Sequence, residues 1–209
     1  MAPEAIAKEM EAQLTPVVDR LITMMGAARD AFNRHSRHSL EDLKKGQQAV
    51  VKEIKEIGAK IEAEGLSAQK TEAERFVLIK LRNVLSHLEV VADTIGDLAE
   101  PIHKKVQGAV LFSDKAVAQT NYLFDQHTGM IRSVLDILKT DNEFLKKYVL
   151  EEGAKLNQAC LDFATEHEAR MIEGVCLPQA APIFLAILDR MRAMAQHETD
   201  IAGLLAKKS

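Results

Sequence analysis

The sequence predicts an all-α protein of six long helices, forming two antiparallel three-helix bundles related by a pseudo-twofold. Apolar residues recur at alternating steps of three and four in segment after segment, the seam pattern of helices packed nearly parallel or antiparallel. No stretch alternates with the two-residue period of a half-buried strand. Helix breakers are scarce, with 5 prolines and 10 glycines in 209 residues, while Ala, Leu, Ile, Lys and Glu dominate.

The first helix, about residues 3 to 34, places Met10, Leu14, Val17, Leu21, Met24, Ala28 and Ala31 on one stripe, with Pro16 as a point of restart or bending. Ser39 offers an N-cap, with Asp42 as an imperfect capping-box partner, for a second helix striped by Leu40, Leu43, Gln47, Val50, Ile54, Ile57 and Ile61. Gly65 is placed to close it. The third, about 67 to 108, carries Leu78, Leu81, Leu85, Leu88, Ala92, Ile95, Ala99, Ile102 and Val106 inward and is expected to kink at Pro101.

Around Gly108 the chain resets. A fourth helix, about 113 to 139, begins at Ser113 and Asp114 and turns Val117, Phe124, Ile131, Val134 and Leu138 inward. The fifth, about 141 to 173, starts after a cap at Thr140 or Asp141 and ends at Gly174, and its stripe is the least regular. The sixth, about 179 to 206, follows Pro178. Each half reads as three helices, so the chain divides into residues 1–108 and 109–209, as an internal duplication would. Identity between halves is slight; the matched segment is DTIGDLAEPI at 93–102 against RAMAQHETDI at 192–201.

A hydrophobic share of 47% over this length supports a substantial core. The net charge of -4 is spread along the chain with both signs interspersed, which argues against a nucleic-acid partner. The N-terminal MAPEAIAKEMEAQL has acids where a signal peptide needs an apolar run, and no stretch reaches the roughly 18 apolar residues of a membrane span, so a cytoplasmic protein is expected. Cys160 and Cys176 read as free, buried thiols.

Glu89, Asp93 and Asp97, spaced by four, stack three carboxylates on one ridge of the third helix, with Glu100 and His103 continuing near it. Like charges at this spacing each cost a few tenths of a kcal/mol, roughly 0.2–0.5, so the ridge calls either for cations, basic side chains or metal, or for an outward, solvated face. His127, between Phe124 and Ile131, reads as a core histidine. Glu198 breaks the Met191, Met194, Ile201, Leu205 seam and calls for a partner charge or an interface. His35 and His38, beside Arg34 and Arg37, form a small basic turn.

DTIGDLAEPI resembles the signature of the PhoU family, with Asp93 and Asp97 on its two acids. The stretch from SDKAVAQTNYLF through EHEARMIEGVCLPQAAPIFLAILDRMRAMAQHETDIA resembles the family's second repeat, including the PhoU-like domains of sodium-phosphate cotransporters. His167, Arg170, Gly174, His197, Ile201 and Ala202 sit where that pattern expects them, and LITMMGAARDAF is similar to the family's opening helix.

The resemblance implies a PhoU-like, spectrin-repeat-like pair of bundles and a regulator of phosphate uptake and phosphate signalling. Such a protein docks to a membrane phosphate transporter or its sensor kinase, peripherally at the inner membrane, and is a homodimer. It also implies acid-x-x-x-Asp motifs that hold iron or zinc clusters. Here Arg192 and Gln196 replace the acids of the second repeat, and Lys55 and Asn157 fall near the acid of each half's second helix, so any metal is expected at Glu89, Asp93 and Asp97.

A carboxylate-bridged di-metal enzyme would need Glu-x-x-His pairs on two helices, and only Glu100 with His103 has that spacing. No phosphate loop, metalloprotease motif or nucleophile elbow occurs in the sequence, so no enzymatic activity is expected. A helical scaffold without a phosphate role is the alternative.

Overall fold

In the computed structural model, which describes residues 3–66 and 70–207, every element is helical. The helices are α1 (Pro3–Arg34), α2 (Arg37–Gly65), α3 (Glu72–Asp97), α4 (Ala99–Gln107), α5 (Asp114–Thr140), α6 (Glu143–Ile172) and α7 (Ala180–Ala206). The side chains of residues 3–7, 10 and 11 are outside the description, so Met10 of the first predicted stripe is not placed, and neither are residues 67–69 at the predicted start of the third helix.

The element boundaries follow local chemistry. α1 runs unbroken through Pro16, because the carbonyl that loses its donor belongs to Ala12, an exposed residue that water can reach. α1 ends where His35 takes a left-handed backbone, φ 55°. The cap of α2 is Ser36 and not Ser39: Ser36 Oγ accepts from the Ser39 main-chain N–H at 3.1 Å, and Ser39 Oγ donates to Asp30 Oδ2 at 2.6 Å. α3 opens on a full capping box between Thr71 and Glu74. α6 is capped by Asn142, whose Oδ1 accepts from Phe144 and Leu145, one residue beyond the predicted cap. Gly174, at φ 69°, closes the turn after α6 as the sequence predicts.

The predicted third helix is broken at Leu98, three residues before Pro101. Pro101 has no N–H for the carbonyl four residues earlier, that of Asp97. Arg190 on α7 takes the proline's place: its Nε donates to Asp97 O at 2.9 Å. The break is thus answered from the other half of the molecule.

The helices pack in two groups of three. α2 runs back along α1, and α3 runs back along α2, as Arg20–Glu53 (3.1 Å) and Arg82–Glu62 (3.0 Å) record. In the second group α5 is tied to α6 by Gln119 Nε2 donating to Glu166 Oε2 at 2.8 Å, and α6 to α7 by His167 against Phe184, ring centres 4.7 Å apart. The groups meet like to like. α1 lies antiparallel on α5, with Arg29 donating to Asn121 at 2.9 Å, and α3 lies antiparallel on α7, with Lys80 Nζ donating to the Lys207 carbonyl at 2.7 Å. That pairing of equivalent helices is what a twofold between the groups requires.

One continuous core runs through both groups. The predicted stripes supply it: Leu14, Leu21, Met24, Leu43, Ile54, Leu85, Ile95, Phe124 and Ile131 are all buried. Each such side chain contributes about 1.5–3 kcal/mol by leaving water. Phe32, Phe112, Phe124 and Phe184 form a run of edge and tilted ring contacts, 5.4 to 6.3 Å between centres, that joins α1, the α4–α5 link, α5 and α7 at one end. α6 buries fewer apolar residues, chiefly Val149, Leu156 and Cys160, in keeping with its irregular stripe. No helix of the described residues is long and apolar enough to cross a membrane.

Candidate functional site

The carboxylate ridge of α3 faces α2 across a groove. Asp93 lies in this groove with Gln47, Gln48, Val51, Lys52 and Lys55 of α2, and Glu89 lies beside Lys55, Gly58 and Arg82. Farther along, Asp97 sits near Lys44, Gln48, Glu100 and His103. Asp93 and Asp97 are exposed and Glu89 half-buried.

The donors around the ridge do not suit an oxygen-ligated iron or zinc cluster. Gln47 Nε2 donates to Asp93 Oδ1 at 3.1 Å, and the carboxylates that α2 brings to this face, Glu56 and Glu62, pair with Lys52 (3.9 Å) and Arg82 (3.0 Å); among the described residues no ridge carboxylate belongs to a group of three ligand atoms within 4.8 Å. Gln47 is itself seated by Gly96, since a Cβ there would collide with its side-chain amide. The groove therefore sets the acids of α3 against a mixed face of amides, lysines and glutamates on α2, and the exposed Asp93 and Asp97 reach solvent.

Glu198 has a polar partner inside the core. His127 Nδ1 lies 2.8 Å from Glu198 Oε2, joining α5 to α7, and both side chains are buried. Burial pushes the Glu198 carboxyl up, and the neighbouring His127 opposes that shift. Among the described residues, His127 Nε2 and Glu198 Oε1 have no hydrogen-bond partner. The pair is a tight polar bridge in the second group's core.

Lys105 is another buried charge. Its Nζ donates to the Phe32 carbonyl at 2.9 Å, contacts His35 Nε2, and sits 4.8 Å from the centre of the Phe32 ring and 5.5 Å from that of Phe112. Burial lowers its pKa, and burial followed by the charge of Lys105 lowers that of His35. His35 thus belongs to a structural cage, while His38 stays at the surface, paired with Asp42 at 3.3 Å.

At the same end, Arg170 NH2 donates to Gln119 Oε1 at 3.1 Å, and burial, followed by the charge of Arg170, lowers the pKa of the buried His167. Cys160 is buried and its thiol is pushed up to about 12 by burial, so it is an inert core thiol; Cys176, half-buried, is also free.

A cluster that the sequence reading did not single out lies where α3 crosses α7. His87 Nδ1 and His197 Nδ1 are 3.0 Å apart, and Asp200 Oδ2 is 3.9 Å from His87 Nδ1. Among the described residues, this is the one group of three or more His, Cys, Asp or Glu side chains whose ligand atoms all lie within 4.8 Å of one another. His87 and His197 are 110 residues apart, so only the antiparallel register of α3 on α7 brings them together. Within α7, the three-residue step from His197 to Asp200 was the one available signal.

The chain matches no protein-family model and none of the curated proteins. Solved structures do match. The PhoU protein of Pseudomonas aeruginosa superposes with a TM-score of 0.81 at 14% identity, over 97% of this chain and 96% of that one. The phosphate transport system regulatory protein PhoU of Streptococcus pneumoniae superposes with a TM-score of 0.84 at 13% identity, over 97% of this chain and 94% of that one. The fold is that of the PhoU proteins from end to end.

Proposed function

We propose that the protein is a PhoU-like regulator of phosphate uptake, acting by docking to a membrane phosphate transporter or to its sensor kinase and carrying out no turnover of its own. The observation that carries this reading is the end-to-end match to two PhoU structures, one of which is named a phosphate transport system regulatory protein. The resemblance of DTIGDLAEPI and of the second-half segment to the PhoU pattern supports it from the sequence.

The surface offers a face suited to docking. The α6–α7 turn and the α4–α5 link adjoin, as the 3.6 Å approach of Cys176 Sγ to Ser113 Oγ records. There Leu111, Ile172, Val175 and Leu177 are all well exposed, at 68%, 88%, 63% and 48%. Apolar side chains exposed together at one end of a rigid bundle favour a protein partner. The acidic ridge on α3 needs no metal in this reading. Docking is tested by measuring binding of the purified chain to the detergent-solubilised phosphate transporter and, separately, to the sensor kinase of its own cell. Binding to either supports the proposal; binding to neither refutes it.

A further inference from the structure

We propose that His87, His197 and Asp200 form a binding site for a divalent transition-metal ion of the zinc class, which ties α3 to α7 across the two halves of the molecule. A tetrahedral zinc with bonds of about 2.0–2.1 Å to nitrogen and oxygen sets its ligand atoms roughly 3.3 Å apart. His87 lies 3.0 Å from His197 and 3.9 Å from Asp200, on either side of that value, and all three ligand atoms lie within 4.8 Å of one another, a spread that side-chain rotation can close. Two imidazoles and one carboxylate select zinc, cobalt or nickel over magnesium or calcium, which prefer an all-oxygen shell.

Three further observations bear on the site. With two Nδ1 atoms face to face, a single proton shared between them is all that holds the neutral pair, whereas a metal engages both lone pairs. Burial, followed by the neighbouring His87, lowers the pKa of His197, with Asp200 opposing, which favours the neutral ring that a metal needs. The carboxylate is already aimed: Gln196 Nε2 donates to Asp200 Oδ1 at 3.0 Å, leaving Oδ2 toward His87.

His87 and Asp200 are only partly covered, with side-chain exposures of 27% and 39%, so an ion can enter from solvent and keep water in the fourth position. The acidic ridge is a separate location, since Glu89, Asp93 and Asp97 line grooves shared with α2.

The test uses the purified full chain, stripped with EDTA and titrated with zinc against a chromophoric chelator, and with cobalt while the visible d–d bands are recorded. We expect one equivalent to bind, cobalt to give the intense bands of a four-coordinate site, and zinc to raise the melting temperature. The conservative variants His87→Gln and Asp200→Asn should each weaken binding at least tenfold while circular dichroism shows the helices intact, and Gln196→Ala should cost about tenfold. Asp93→Ala with Asp97→Ala should leave binding unchanged. The proposal is overturned if the stripped wild-type chain takes up neither metal, or if His87→Gln and Asp200→Asn bind as wild type does. Loss of the binding in the Asp93→Ala, Asp97→Ala variant alone would also overturn it, by moving the metal to the ridge.

Discussion

Arg190 Nε donates a 2.9 Å hydrogen bond to the main-chain carbonyl of Asp97, the carbonyl that Pro101 leaves without a helical donor. The same guanidinium reaches Glu100 at 3.4 Å and the Ala186 carbonyl at 2.9 Å. One side chain from the second half therefore fixes the break in the first half's last helix, and couples the bend at Leu98 to the packing of α7.

Removing that side chain should loosen the break. Arg190→Ala is expected to lower stability by about 1–2 kcal/mol, since it deletes a charge-assisted hydrogen bond. In the Pro101→Ala background the restored N–H can serve Asp97, so the same change should cost less there. A double-mutant cycle by urea denaturation measures the difference, and equal costs in the two backgrounds would remove the proline from the explanation.

Glu198 should make the protein lose stability as pH rises. Its carboxyl is pushed above the ordinary value of 4.5 in the folded protein, so above pH 4.5 the unfolded chain releases a proton that the folded one retains. Folding then costs progressively more until the folded-state pKa is passed. Glu198→Gln keeps an acceptor for His127 without the charge, and should flatten this part of the stability profile. Glu198→Ala leaves the buried His127 ring unpartnered and should cost about 3 kcal/mol. Chemical denaturation of the wild type and both variants between pH 4.5 and 8 checks the sign.

Lys105 predicts the opposite slope at alkaline pH. Burial lowers its pKa below 10.5, so between the folded value and 10.5 the unfolded chain holds a proton that the folded one has lost, and stability rises with pH in that window. Lys105→Met keeps the packing between Phe32 and Phe112 and removes the titrating group. It should erase that rise and change stability at neutral pH by no more than about 1–2 kcal/mol. Thermal melts from pH 7 to 10.5 measure both effects.

The exposed apolar end should matter for binding and not for folding. Ile172→Asp with Val175→Asp places charge on side chains that are 88% and 63% exposed, so the stability change should stay within about 0.5 kcal/mol. Affinity for the transporter or kinase should fall at least tenfold. Unchanged affinity would move the docking face elsewhere on the bundle.

The helices and their inward stripes were legible because the three-four spacing of residues such as Leu81, Leu85, Leu88 and Ala92 is a local property of the chain. Caps were legible where the signal was a short motif, as at Ser113, and shifted where several Ser, Thr, Asn or Asp side chains competed, as Ser36 did with Ser39 and Asn142 with Asp141. The need of Glu198 for a partner could be read from its place on an apolar seam, but His127 as that partner depends on the parallel register of α5 and α7. The ridge of Glu89, Asp93 and Asp97 was visible in sequence, whereas the side chains opposite it, such as Gln47 on Asp93, come from the facing helix. His87 with His197 and Asp200 was hidden for the same reason, because no periodicity reports how two helices cross.

The central claim, that the chain regulates phosphate uptake, is tested most directly by measuring radiolabelled phosphate uptake in a deletion strain and its parent across phosphate concentrations. The account predicts uptake that stays high in the deletion strain when phosphate is abundant, and that returns to the parental response when the intact chain is supplied from a plasmid. Identical uptake in the two strains at every concentration would contradict it.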